Sequence, residues 1–464
     1  MKKEMNRRKF IQTTSLAGLG AGIPLTASAN ALNEKDKRQK ISTIKSKINL
    51  GVIGVGLRGS YHVELGLNRA DCEVVAICDI DQHMIDRTKT VFTKKGKPFP
   101  KIYLGEKAYL ELLEDKNIDA VIIATPWKLH TEMAVAAMHA GKYVGTEVCG
   151  AFSIDECWQL VNTSEATGVP LFFLENVCYR RDVMAILNMV RQDMFGEIIH
   201  LEGGYQHDLR GVKFNDGVTP YNSGAEYGQK GYSEARWRTQ HSIHRNGELY
   251  PTHGLGPVSQ YIDINRGNRL ISLTSTSSKA RGLHNYIVNH EKGGPNHPNA
   301  NLTFKLGDVV TTVIKAANGE SILLSHDTGL PRPYSLGFRV QGTKGIWMAV
   351  NKSLHIEGKS PKHQWEEEAP YLEKYDHPLW KKYEKEATGA GHGGMDFFLF
   401  QSFIEHAKQN ATPPFDVYDA ATWMAITPLS EQSIAMGSTA VSIPDFTRGR
   451  WMHRKPVFGF DDAY

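Results

Sequence analysis

The chain has 464 residues, 41% of them hydrophobic and 22% charged, with a formal net charge of +4. That length supports two domains, each with its own core, and the small charge, carried partly by a basic leader, gives no grounds for a nucleic-acid or membrane-surface partner. The five cysteines, Cys72, Cys78, Cys149, Cys157 and Cys178, are odd in number and are expected as buried free thiols; with no Cys/His cluster at zinc spacing, no structural metal is expected.

Residues 1–31 read as a targeting segment. Asn6-Arg7-Arg8-Lys9-Phe10-Ile11 is a twin-arginine pattern, followed by a weakly apolar stretch over 11–25 and the small-residue site Ala27-Ser28-Ala29. The apolar run is too short for a membrane span. Export in the folded state by the twin-arginine route to the periplasm is the expectation, with 32–48 as a polar linker.

From 49 to 176, apolar runs alternate with helix-like segments. Strands are predicted over 50–55, 74–78, 120–124, 143–146 and 171–174, and helices over 60–68, 131–140 and 154–167, the last two stopped by Gly141 and Gly168. Continuously apolar strands suit a parallel sheet covered on both faces. The first strand runs into Gly54-Val55-Gly56-Leu57-Arg58-Gly59, and the second ends in Asp79. This is a dinucleotide-binding fingerprint: Gly54 for the tight turn, Gly56 for approach to a pyrophosphate, Gly59 for close helix packing. A carboxylate at Asp79 accepts hydrogen bonds from ribose hydroxyls and repels a 2′-phosphate, so NAD is expected rather than NADP. Trp127 and His130, in the turn after the fourth strand, are expected at the nicotinamide half, and Glu147 and Glu175-Asn176 end the next two strands on the same edge. Core packing for Trp127 and helix capping or a solvent-facing place for His130 are the competing readings.

The remainder, 177–464, has a different texture. A helix near 182–193 precedes strands predicted over 196–203, 270–277, 309–316, 321–325, 336–341 and 345–350, the composition of a largely antiparallel sheet. The fold class expected is α/β: an N-terminal Rossmann doubly wound parallel sheet plus a C-terminal α+β domain with a large, mostly antiparallel sheet. An open face of that sheet would allow a homo-oligomer. Long loops over 206–236 and 281–300 are expected to be functional or disordered. The densest polar cluster joins Arg238 to Arg245-Asn246-Gly247-Glu248-Leu249-Tyr250-Pro251-Thr252-His253-Gly254, with glycines that would let a substrate come close. His253 suits proton transfer near neutral pH, or else caps the following helix. Tyr205, at a strand end, and Tyr334 are aromatic candidates for a sugar-binding wall.

The N-terminal half, with GVGLRG, ATPWKLH and GTEV, resembles the glucose-fructose oxidoreductase and inositol dehydrogenase superfamily. Where its ordinary dehydrogenases carry Glu-Lys-Pro, this chain has Glu147-Val148-Cys149, and Leu249 stands where they carry an Asp four residues before the catalytic His. Those departures, with FLENVCYRR, RWRTQHSIHRNGELYPTHGLGP and PRPYSLG, are similar to glycoside hydrolase family 109, NAD-dependent α-N-acetylgalactosaminidases. The resemblance implies NAD contacts from Leu57, Arg58, Asp79, residues 127–130, Glu147, Val148 and Asn176. It implies sugar contacts from Tyr205, Arg238, residues 250–253 and Tyr334, with Glu175 a further candidate, and proton transfer by His253 or Tyr250. The expected substrate is a glycan ending in N-acetylgalactosamine, cleaved by transient oxidation at C3, elimination and water addition. The competing functions are an exported NAD(P)-dependent sugar oxidoreductase with net hydride transfer and a carbohydrate-binding protein that keeps NAD as a structural part.

Overall fold

The computed structural model describes residues 44–464 apart from Asn222, and these form one compact unit. The targeting segment and most of the linker expected from the sequence lie outside the described residues. Among the described residues no helix is long and apolar enough to cross a membrane.

Six parallel strands form the first sheet: β1 (Ile48–Ile53), β2 (Cys72–Asp79), β3 (Lys101–Leu104), β4 (Ala120–Ile123), β5 (Tyr143–Thr146) and β6 (Leu171–Phe173), in the order β3-β2-β1-β4-β5-β6. The order reverses between β1 and β4, and in such sheets the crevice at the carboxyl ends of the strands flanking that point takes the ligand. Both faces are covered by α1 (Leu57–Leu67), α2 (Gln82–Lys95), α3 (Ala108–Glu114), α4 (His130–His139) and α5 (Ile154–Thr167). α5 starts where the sequence predicts because Ser153 Oγ accepts from the Glu156 amide at 3.1 Å while Glu156 Oε2 accepts from the Ser153 amide at 2.9 Å. β3 was invisible to an apolar-run reading: it is an edge strand in which only Tyr103 is buried.

The second sheet has nine strands, among them β11 (Arg339–Gly342), β12 (Gly345–Met348), β13 (Ser353–Ile356), β14 (Glu366–Glu367) and β15 (Val441–Ser442), in the order β14-β13-β12-β11-β7-β10-β9-β8-β15. Its central β7 (Ile198–Gln206) pairs in parallel with β10 (Ser321–Asp327), and its other pairings are antiparallel. The expected bounds of β8 (Leu270–Ser277) and β9 (Val309–Ala316) agree with the structure. Phe214, Leu283, Ile287 and Ala300, from the loops over 206–236 and 281–300, form a small apolar cluster.

One apolar interior runs through both sheets, in place of two separate cores. A late helix, Met395–Gln409, returns to the first sheet. Its Phe403 packs against Tyr143 and Phe172, with ring centroids 5.7 and 6.2 Å apart, and a Cβ on Gly145 would meet it at 2.7 Å. All five cysteines are buried and free, as expected.

Candidate active site

The turn from β1 into α1 has the backbone the fingerprint demands. Gly54 has φ +84°, and a Cβ on Gly59 would sit 1.7 Å from the Gly54 carbonyl oxygen, so no other residue permits this helix-to-turn packing. A Cβ on Gly56, by contrast, would meet nothing within 4 Å, which leaves its backbone approachable from the crevice. Asp79 accepts from the Val55 amide at 2.7 Å and the Asp81 amide at 3.0 Å, bracing the turn from the neighbouring strand; burial pushes its carboxyl up. Open backbone amides at a helix N-terminus and a strand-end carboxylate fit a dinucleotide.

Leu57 and Arg58 begin α1. The Arg58 guanidinium donates from Nε to Glu147 Oε1 at 2.5 Å and from its two terminal nitrogens to both oxygens of Asp396 at 2.9 and 3.0 Å. His62 Nε2 lies 2.7 Å from the same Glu147 oxygen. Burial, and then Arg58, push the His62 imidazole down, so it is the neutral donor in that contact. Burial works against the charge on Glu147 and on Asp396, but Arg58 outweighs it and holds both carboxyls well below the usual range. Asn176, after β6, donates to Asp396 Oδ1 at 2.7 Å, and Val148 donates its amide to Glu147 Oε2 at 3.1 Å. Asp396, His392 and His62 had no local signature in the sequence, since Asp396 is 338 positions from Arg58.

His130 neither caps a helix by its side chain nor faces solvent. It is buried, with Nε2 2.7 Å from the Thr125 carbonyl and Nδ1 3.1 Å from the Cys149 carbonyl, and so clips the turn after β4 to the one after β5. Burial lowers its affinity for a second proton.

Trp127, from the same turn, leads into an aromatic cluster. Its ring lies 5.0 Å from Trp237 and 5.5 Å from Tyr250. Tyr250 stacks on Tyr205, with centroids 4.2 Å apart and planes 25° apart; His253 meets both rings edge-on, at 4.9 and 5.5 Å. Tyr334 closes the far side, 6.5 Å from Tyr205 and 4.9 Å from His207. The Arg238 guanidinium stands over Trp127, Tyr250 and Tyr205 at 4.8, 5.3 and 6.0 Å, and pairs with Glu234 at 2.5 Å. Of the residues expected from sequence at the sugar or the nicotinamide end, Trp127, Tyr205, Arg238, Tyr250, His253 and Tyr334 join this cluster, and Glu175 reaches it through His253.

His253 is in the first turn of the helix Thr252–Tyr261, and its Nδ1 lies 2.7 Å from Glu175 Oε1. Glu175 has no solvent exposure and also accepts from the Val177 amide at 3.1 Å, an acceptor role that makes Nδ1 of His253 the donor in their contact. Burial holds the Tyr250 phenol well above its ordinary range, so it keeps its proton. The glycine reading needs correction: a Cβ on Gly254 would lie 2.3 Å from the Gly204 amide, so this glycine lets the helix seat directly on β7, and the approach it permits is of backbone to backbone.

A cleft of about 1250 Å³ lined by Tyr61, Arg69, Tyr383 and Tyr464 takes in none of the aromatic, histidine or arginine groups just described. Among the described residues no group of three or more His, Cys, Asp or Glu is arranged to hold a metal ion.

Residues 48–174 match the model of an oxidoreductase family with an NAD-binding Rossmann fold, and residues 179–453 match that of the glycosyl hydrolase 109 C-terminal domain. A glycosyl hydrolase family 109 protein of Stenotrophomonas maltophilia (strain K279a) is 53% identical over 99% of both chains. An alpha-N-acetylgalactosaminidase of Tannerella forsythia is 50% identical over 98% of this chain and 99% of its own. Among solved structures, a levoglucosan dehydrogenase in complex with NADH and levoglucosan superposes with a TM-score of 0.61 at 19% identity, covering 86% of this chain and 100% of that one, a likeness of fold. With the second of those models spanning more than half of the sequence, and relatives about half identical from end to end, the chain belongs to glycoside hydrolase family 109.

Proposed function

We propose that the enzyme hydrolyses terminal α-N-acetylgalactosaminides, using NAD that is restored in every turnover, and that it is exported to the periplasm by the twin-arginine route with the cofactor already in place. The observation that carries the reading is the Glu175–His253 pair, set within the ring cluster that Trp127 ties to the carboxyl edge of the NAD-binding sheet. The activity printed for the Tannerella relative supports the substrate class.

The chemistry the bound cofactor supplies is reversible hydride acceptance at C3 of the sugar, which makes C3 a ketone for part of the cycle. NAD would be held by residues 54–59, Asp79, Trp127, Glu147, Val148 and Asn176, with His130 fixing the turn that carries Trp127. His253 acts as the base: its free Nε2 takes the C2 proton that the ketone acidifies, and Glu175 fixes the tautomer that makes this lone pair available. Tyr250, whose phenol stays protonated, donates to the oxygen leaving C1 as the C1–O bond breaks, and the same two groups run in reverse as water adds at C1 and the proton returns to C2. Arg238 offers donors to sugar hydroxyls or to the acetamido carbonyl, and Tyr205 and Tyr334 provide ring faces for the pyranose.

A panel of α- and β-linked nitrophenyl glycosides, run in deuterated water, tests this. The expected product carries deuterium at C2, forms from the α-N-acetylgalactosaminide and leaves no NADH behind. Product without deuterium would overturn the elimination route. Steady accumulation of NADH would establish instead a sugar oxidoreductase. Cell fractionation checks the address.

A further inference from the structure

We propose that Asp396 fastens the C-terminal segment across the cofactor-binding loop and thereby retains NAD between turnovers. The proposal rests on the chain holding NAD, and adds to it a positioning residue and a retaining strap.

Arg58 sits between Gly56 and Gly59, at the helix N-terminus where a dinucleotide's phosphates lie. Three stretches far apart in sequence meet on one carboxylate there: Arg58 from α1, Asn176 from the end of β6, and His392, whose Nδ1 is 2.6 Å from Asp396 Oδ2. The Asp396 side chain has no exposure, whereas that of His392 is 60% exposed, so the carboxylate is the inner anchor and the imidazole marks the outer rim. The backbone amide of Gly391 adds a bond to the Tyr61 hydroxyl on α1. The segment over 388–394 thus meets α1 directly through Gly391 and Tyr61, and through His392 it is held to the Asp396 carboxylate that pairs with Arg58.

Arg58 spans from Glu147, at the β5 edge, to Asp396 on the C-terminal helix, in a two-pronged geometry on Asp396 that is costly to break once buried. Gly389, Gly393 and Gly394 have positive φ, at +86°, +69° and +96°, as does His392 at +52°, so the path of the strap depends on glycine at three positions. An enzyme that regenerates its cofactor has no need to release it, and a closed strap suits that cycle.

The test loads wild-type, Asp396→Asn and Asp396→Glu protein with NADH and follows its release by fluorescence after dilution into excess NAD. Asparagine removes the charge and one of the two acceptors; release is expected to quicken roughly tenfold or more, with the glutamate variant nearer wild type. Equal release rates in all three proteins would overturn the strap. Hydrogen exchange on the wild-type chain needs no variant to fold: peptides over 388–396 are expected to gain protection when NAD is added, and indifference to NAD would overturn the proposal as well. A wild-type chain that takes up no NAD at all would instead bring down the cofactor reading, and the strap with it.

Discussion

Nδ1 of His253 is held 2.7 Å from Oε1 of Glu175, a carboxylate closed off from solvent, so one ring nitrogen of the imidazole is committed to that contact. The expected consequence is that His253→Ala lowers kcat by about 10²- to 10⁴-fold and abolishes deuterium uptake at C2. Glu175→Gln keeps the volume but offers an amide in place of an anionic acceptor; kcat should fall while KM changes little. Variants with full turnover on an aryl α-N-acetylgalactosaminide would remove the pair from the mechanism.

Arg238 is placed by rings as much as by charge, its guanidinium lying within 6.0 Å of three aromatic faces. Arg238→Lys keeps the charge and loses the plane and the fork, so it should not substitute. A KM raised roughly tenfold is expected, consistent with losing about 1–2 kcal/mol of contact. Saturation kinetics on wild type and variant decide it.

Glu248, two residues before Tyr250, is buried and has one carboxylate oxygen without a partner. Burial pushes its carboxyl up to about 8 from an ordinary 4.5, so the folded state holds a proton that the unfolded chain gives up. Its contribution to stability is therefore complete below pH 4.5 and is lost as the pH rises towards 8, at about 1.4 kcal/mol per pH unit at most. Glu248→Gln, which copies the protonated form, should match wild type in acid and exceed it at alkaline pH. Urea unfolding at the two ends of that range measures the difference; parallel curves would contradict it.

Lys213 presents the opposite sign. It is buried with its ammonium donating to the Thr328 hydroxyl at 2.8 Å, and burial, then Arg238, bring its pKa down from 10.5 to about 7. The unfolded chain binds the extra proton between those values, so stability rises with pH across that window and the full cost of burial is borne below it. Lys213→Met should gain more at pH 6 than at pH 10, where it loses only the hydrogen bond, worth about 1 kcal/mol. An identical change at both pH values would rule this out.

What could be read from the chain was whatever depends on neighbours along it. The Gly54-to-Gly59 turn is a local device, and β8 and β9 are strands whose alternation shows directly; both were legible. The pairing of residues across the cluster was legible only as a resemblance, since nothing in spacing says that Tyr205, Tyr250 and Trp127 share a wall. Asp396 escaped altogether, because a carboxylate beside glycines near a helix start reads as an ordinary capping residue until the helix is seen to come back to α1. The surroundings of His130 were hidden for a related reason: its ring nitrogens lie against carbonyls of two turns, and backbone oxygens leave no mark in a sequence.

Phe403 on Gly145 has one more result. A fragment cut after residue 176 would keep all six strands of the first sheet, yet it would leave the rings of Tyr143 and Phe172 bare where the late helix covers them. Two regions that separate cleanly as lineages cannot be separated as objects: the nucleotide half has no finished surface until the last quarter of the polypeptide has been made and has come home to it.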